Sequence, residues 1–109
     1  MIFKEHFTPQ DRIELLERWI MVQSYIYYEL DMNIVSDHTY NANSQQLVSL
    51  IKEYPEEYER SRYYSFFYDF DGSTGYHLVP RVKNGNGELY RDIQRDANIA
   101  IYMAEKRGR

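Results

Sequence analysis

Apolar residues recur at helical spacing along most of this chain, and polar punctuation divides them into segments. Thr8-Pro9-Gln10-Asp11 supplies an N-cap, a proline at the first helical position and an acid at the third. Ile13, Leu16, Ile20, Tyr27 and Leu30 then hold one face of a first helix, interrupted only by Gln23. Leu15, Trp19, Val22 and Ile26 widen that face, which implies burial on two sides. Ser36 or Asp37 caps a second helix carrying Tyr40, Leu47, Leu50, Ile51 and Tyr54 along one side. Tyr54-Pro55 ends it, because the residue before a proline is pushed out of helical geometry.

Pro55-Glu56-Glu57 opens a third helix, with acids at its positive end. Tyr63, Phe66, Phe67 and Phe70 form its face, at i, i+3, i+4 and i+7. Strand-like alternation over Tyr64-Ser65-Phe66-Phe67-Tyr68 is the competing reading, and consecutive aromatics fit it poorly. Asp71-Gly72-Ser73-Thr74-Gly75 predicts a loop, with Ser73 or Thr74 capping a short helix around residues 76–79. Pro80 and Asn84-Gly85-Asn86-Gly87 predict a second loop. A last helix begins near Glu88, with Leu89, Ile93, Ala97, Ala100 and Ala104 on one side. Nothing repeats and no Ser/Pro linker intervenes. The expected architecture is a single all-α domain over residues 1–109, a compact bundle of four or five helices with a helix–turn–helix in its N-terminal half.

Composition narrows the chemistry. The chain has 109 residues, enough for a modest core without staples, and no cysteine, which excludes thiolate metal sites, cysteine nucleophiles and disulfides. Seventeen acidic against thirteen basic side chains give a net charge of -4, a poor balance for direct nucleic-acid binding. The basic cluster Lys106-Arg107-Gly108-Arg109 is a solvated helix end. No apolar run reaches membrane-spanning length, and MIFKEHF lacks the shape of a signal peptide, so a cytoplasmic protein without membrane association is expected. His6, His38 and His77 have no metal-ligand spacing. Counted from Asp69, the sixth and twelfth positions are Thr74 and Pro80, where a calcium loop needs glycine and glutamate.

Tyrosine is the outlier, twelve residues in all, and its amphipathic ring favours recognition surfaces. Tyr54, Tyr58, Tyr90 and Tyr102 suit the wet boundary of a core. Tyr27, Tyr28 and Tyr40 differ, because the segment YIYYELDMNIVSDHTYN (residues 25–41) folds them onto one corner between the first two helices. Asp37, where the second helix opens, and Asn41, beside Tyr40 in its first turn, add a carboxylate and an amide to that corner. Rings with short polar groups are what holds a planar base on a ribose.

That corner resembles the N-terminal helical domain of bacterial NAD-dependent DNA ligases over roughly residues 12–55, leaving residues 56–109 as additional helices. In that family a Tyr-His pair and an Asp-x-x-Tyr-Asp run grip the nicotinamide mononucleotide (NMN) half of NAD. The pair falls on Tyr27 and Tyr28, the run on Asp37, Tyr40 and Asn41, and Asp31 also sits where the family has an aspartate. Histidine has become Tyr28, which keeps stacking and loses a ring-nitrogen contact. The second aspartate has become Asn41, which keeps hydrogen bonding and loses a charge. The resemblance thus implies Tyr27, Tyr28, Asp37, Tyr40 and Asn41 as ligand-binding residues, with NMN or NAD as ligand and no cofactor required.

The ligase nucleophile is a lysine in a Lys-x-Asp-Gly setting. The Asp-Gly here is Asp71-Gly72 and the lysine position is Asp69, so no catalytic residue is assigned and no adenylate transfer is expected. Free-standing ligase-like domains of this size look like proteins of phages and mobile elements of Gram-positive bacteria. Small, acidic, tyrosine-rich proteins from that setting include inhibitors of host machinery, anti-CRISPR proteins among them. The functional expectation is a non-catalytic protein-interaction module inhibiting a host nucleic-acid enzyme such as a CRISPR effector. The alternative is a free-standing NMN-, NAD- or other nucleotide-binding domain.

Overall fold

A computed structural model describes residues 7–108; His6, Arg109 and most of the N-terminal MIFKEHF stretch lie outside the described residues. Those residues are all-α, with six α-helices, one π-helical turn and no strand. Helix α1 spans Pro9–Ser24, α2 Asp37–Glu53, α3 Pro55–Glu59, α4 Tyr64–Phe67, α5 Leu78–Gly85 and α6 Gly87–Arg107.

The first helix starts as its sequence predicts. Thr8 Oγ1 accepts from the Asp11 N–H at 3.1 Å, and the Asp11 carboxylate accepts from the Thr8 N–H at 3.1 Å, a reciprocal capping box. Its end departs from the predicted face. Tyr25–Glu29 forms a π-helical turn, in which the wider winding delays each side chain relative to α-helical spacing. Ile26 therefore points into the core with no exposed surface, while Tyr27, expected on the buried stripe, is 53% exposed. Leu15 is likewise exposed, so the stripe is narrower at that level than its sequence suggests. Asp31 closes the segment at φ 53°, the one non-glycine residue with positive φ among those described.

Helix α2 begins at Ser36, whose Oγ accepts from the Thr39 N–H at 3.1 Å, and stops at Tyr54 before Pro55. The third predicted helix is two. Helix α3 halts at Glu59 because Ser61 Oγ donates to the Tyr58 carbonyl at 2.7 Å and folds the chain back. The Tyr58 hydroxyl then donates to the Phe67 carbonyl at the end of α4, closing the corner. Tyr63 and Phe67 are buried as the helical face requires, with Phe66 and Phe70 half-buried at its edge. The break raises the helix count above the four or five expected.

Pro80 does not mark a loop. It occupies the third position of α5, where a missing N–H costs no helical hydrogen bond. Asn84 and Gly85 complete α5, and Asn86 alone joins it to α6 while its Oδ1 accepts from the Leu89 N–H at 3.0 Å. Leu78, Val79 and Val82 of α5 meet Leu89, Ile93 and Ala97 of α6 in the common core. Arg18 ties this layer to α1: its Nε and Nη2 donate to Asp96 at 3.1 and 2.7 Å, and its Nη1 donates to the Tyr63 hydroxyl at 2.9 Å.

Glu17 faces the interior of the bundle with no exposed surface. One carboxyl oxygen is within hydrogen-bond distance of Ser61 Oγ, at 3.1 Å, and the other has no partner among the described residues. Burial pushes its pKa from 4.5 to about 8, against the lowering effect of the Ser61 hydrogen bond. The folded protein thus holds a proton that the unfolded chain releases near pH 4.5, and stability falls as pH rises from there to about 8. The full loss is on the order of 5 kcal/mol. Glu17→Gln, neutral at every pH, is expected to match the parent near pH 5 and exceed it by several kcal/mol near pH 9. Urea denaturation at the two pH values measures the difference, and equal pH dependence in both proteins excludes a buried neutral Glu17.

Candidate functional site

The corner between α1 and α2 is a recess of about 180 Å³. Four segments wall it. Gln23 and Ser24 come from the end of α1, and Ile26, Tyr27 and Tyr28 from the π-helical turn. The turn before α2 adds Met32 to Val35, and the first two turns of α2 add Asp37, Tyr40 and Asn41. Ser73 and Thr74 arrive from the distant loop before α5. All five residues named from the sequence therefore line one recess. His38, next to Asp37, is exposed and is not among the lining residues.

The π-helical turn lets Tyr27 and Tyr28 both face outward. Their rings meet edge to face at 4.9 Å, and Tyr28 meets Tyr76 in the same way at 5.3 Å. Tyr27 is 53% and Tyr76 56% exposed, so the rim of the recess is a row of accessible aromatic surface. Tyr40 is held differently. Its ring lies 6.1 Å from Trp19, and its hydroxyl is hydrogen-bonded to Ser24 Oγ at 3.1 Å. Burial raises the Tyr40 pKa above the usual phenol value, so its hydroxyl remains protonated at neutral pH. Asp37 has no ion-pair partner among the described residues.

The loop is a built wall. Asp71 Oδ1 accepts from the Ser73 N–H at 2.9 Å and from Ser73 Oγ at 2.6 Å, which holds the Asp71 pKa below the usual carboxylate range. Gly72 between them adopts φ 86°, where a side chain is strained. Thr74 Oγ1 accepts from the Tyr76 N–H at 3.1 Å and is hydrogen-bonded to the Tyr28 hydroxyl at 3.0 Å. Thr74 thus organises the turn ahead of α5 without being its N-cap, which is His77. Gly75 is buried directly against Ser24 and Tyr40, so close that a Cβ there overlaps both hydroxyl oxygens.

Asp69, at the position matching the ligase lysine, lies outside the recess lining. Arg81 donates to its two oxygens at 2.7 and 2.9 Å, and this pairing holds its pKa below the usual carboxylate range. Among the described residues no group of three His, Asp or Glu side chains is placed to hold a metal ion. The recess lining carries one carboxylate, Asp37, with no lysine, arginine, histidine or cysteine.

The Asp-Gly-Ser-Thr-Gly run marks a loop in the sequence but carries no local signal of what it packs on, so nothing in the sequence pointed to Ser73, Thr74, Gly75 and Tyr76 as neighbours of the corner. Comparison with protein-family models, with curated proteins and with solved structures gives no match.

Gly75→Ala is expected to push the loop off Ser24 and Tyr40 and to cost about 1–3 kcal/mol of stability, as overpacking does. Gly87→Ala is the control: a Cβ there meets nothing within 4 Å, and the residue opens α6, so no loss is expected. Thermal denaturation of the two variants makes the comparison, and equal melting temperatures contradict the close packing of Gly75.

Proposed function

We propose that the chain is a non-catalytic recognition module that binds a partner protein through the tyrosine-lined recess and its rim. The supporting observation is the exposed row of Tyr27, Tyr28 and Tyr76 around a recess whose one charged side chain is Asp37. Large rings with few torsions give contact area at low entropic cost, and buried aromatic anchors dominate protein interfaces. The partner class we favour is a nucleic-acid enzyme of the host of a phage or mobile element, such as a CRISPR effector, acting in the cytoplasm. An acidic protein of net charge -4 complements the basic channel of such an enzyme. Among the described residues no helix is long and apolar enough to cross a membrane.

A wild-type bait should capture its partner from a bacterial host lysate, and Tyr27→Ala should release it. With that partner purified, association should slow as salt rises, because steering charges are screened. Replacing Glu56, Glu57 and Glu59 with lysine should slow association, whereas Tyr27→Ala should speed dissociation. Capture that is indifferent to both Tyr27→Ala and Asp37→Ala overturns the recess as the binding surface.

A second reading has its own observation. The five residues that the ligase resemblance assigns to NMN line a single recess. Its volume is below the roughly 300–1,000 Å³ of drug-sized ligand sites, suiting one ring and its ribose more than a whole dinucleotide. On this reading calorimetry should detect saturable NMN binding. Tyr27→Ala should weaken it by on the order of 1 kcal/mol through lost stacking. Asp37→Ala should cost ~1.5–3 kcal/mol through a lost charge-assisted hydrogen bond. Saturable NMN binding with no protein captured decides for this alternative.

A further inference from the structure

Three tyrosines elsewhere in the molecule are covered by the chain's own cations. Arg81 stands 4.9 Å from the centre of the Tyr68 ring, Lys83 5.8 Å from Tyr90, and Lys106 5.6 Å from Tyr102. All lie within the roughly 6 Å over which a cation is attracted to an aromatic face. No such cation accompanies Tyr27, Tyr28 or Tyr40 among the described residues, although they sit beside an unpaired carboxylate. The recess therefore gathers negative potential from ring faces and from Asp37, and its lining carries no cationic side chain; only the partial positive charge at the N-terminus of α2 opposes it.

We propose that the recess receives the guanidinium of an arginine side chain presented by the partner protein. This deepens the protein-recognition reading and rests on it. Charge complementarity selects a cation over a phosphate, since an anion entering here would face Asp37 with no lysine, arginine or histidine to meet it. Shape and hydrogen bonding select arginine among cations. A guanidinium is flat, stacks on aromatic faces and carries five N–H donors in a fixed fork. The lining offers matching acceptors: the Asp37 carboxylate for a paired contact, the Asn41 side-chain carbonyl and the hydroxyl oxygens of Ser73 and Thr74. The compact ammonium of lysine uses fewer of these. Weaker hydration of guanidinium also lowers the cost of entering a half-enclosed site.

The test uses the whole protein and three short capped peptides that differ at one central residue: arginine, citrulline or lysine. Citrulline keeps the shape and most of the hydrogen bonding of arginine and removes the charge. Binding is followed by the NMR shifts of the tyrosine ring resonances. Saturable binding of the arginine peptide that moves Tyr27, Tyr28 and Tyr40 supports the proposal, with the citrulline peptide at least tenfold weaker and lysine between them. Asp37→Asn and Tyr27→Ala should each weaken the arginine peptide several-fold, while Tyr102→Ala, outside the recess, should leave it unchanged. Equal binding of arginine and citrulline, binding insensitive to Asp37→Asn, or no binding of the arginine peptide overturns it. Should the arginine peptide fail while Tyr27→Ala still abolishes partner capture, the guanidinium is wrong and the protein-recognition reading stands. Should the arginine peptide bind in the recess while Tyr27→Ala and Asp37→Ala leave partner capture unchanged, the recess holds a guanidinium and is not the partner surface, which overturns the proposal as stated.

Discussion

Everything in this molecule is arranged around the burial of α1. Helices α2, α3, α5 and α6 all pack on it, so a single 16-residue helix serves as the hub of the bundle. A helix surrounded this way has few positions left for polar side chains, and each must find a partner or stay neutral. Arg18 meets the requirement by reaching Asp96 and Tyr63 at the edge of the core. Glu17, one residue earlier, points to the centre and meets it by keeping its proton. The same hub dictates how the chain leaves. After Ser24 the winding loosens into a π-helical turn, Ile26 closes the core, and the two tyrosines that follow are turned to solvent.

The helical class, the caps at Thr8 and Ser36, and the stop at Tyr54-Pro55 were legible because each is a local rule, satisfied within four or five residues. What was not legible depends on distant partners. Alpha-helical spacing places Tyr27 on the buried stripe, and only the register change of the π-helical turn removes it. Pro80 is a breaker in most helical contexts and harmless in a first turn, and where that turn begins is set by the packing of Leu78 and Val79 against the core. Ser61 ends α3 by bonding to the Tyr58 carbonyl, yet its hydroxyl is also in reach of Glu17, forty-four residues away. The meeting of Tyr27, Tyr28, Asp37, Tyr40 and Asn41 was legible because all five flank one short turn. The fourth wall of their recess was not, since it comes from a loop more than thirty residues downstream of Asn41.

The chemistry of that recess follows from what surrounds it. Hydroxyl groups of Ser24 and Thr74 hold Tyr40 and Tyr28 by their outer ends, in addition to the ring contacts with Trp19, Tyr27 and Tyr76. A side chain anchored at its tip has already lost its rotamer entropy before any ligand arrives, so less is lost on binding. Asp37 lies in the first turn of a 17-residue helix, at the positive end of the helix dipole. On the proposed recognition reading, preorganised rings beside a carboxylate rooted in a helix discriminate by electrostatics more than by size.

The loop from Asp71 to His77 gives this arrangement a modular character. Its backbone is set mainly by its own contacts: Asp71 accepts from the Ser73 N–H as well as from the Ser73 hydroxyl, Gly72 turns the chain, and Gly75 seats against Ser24 and Tyr40. Ser73 and Thr74 project into the recess from that frame, while α1 and α2 fix the tyrosines on the opposite side. Exchanging the side chain at position 73 changes what the recess admits without disturbing a helix, as hypervariable loops do on rigid scaffolds elsewhere. One exposed loop position can therefore vary, and the shape of the recess with it, while the helical core stays fixed.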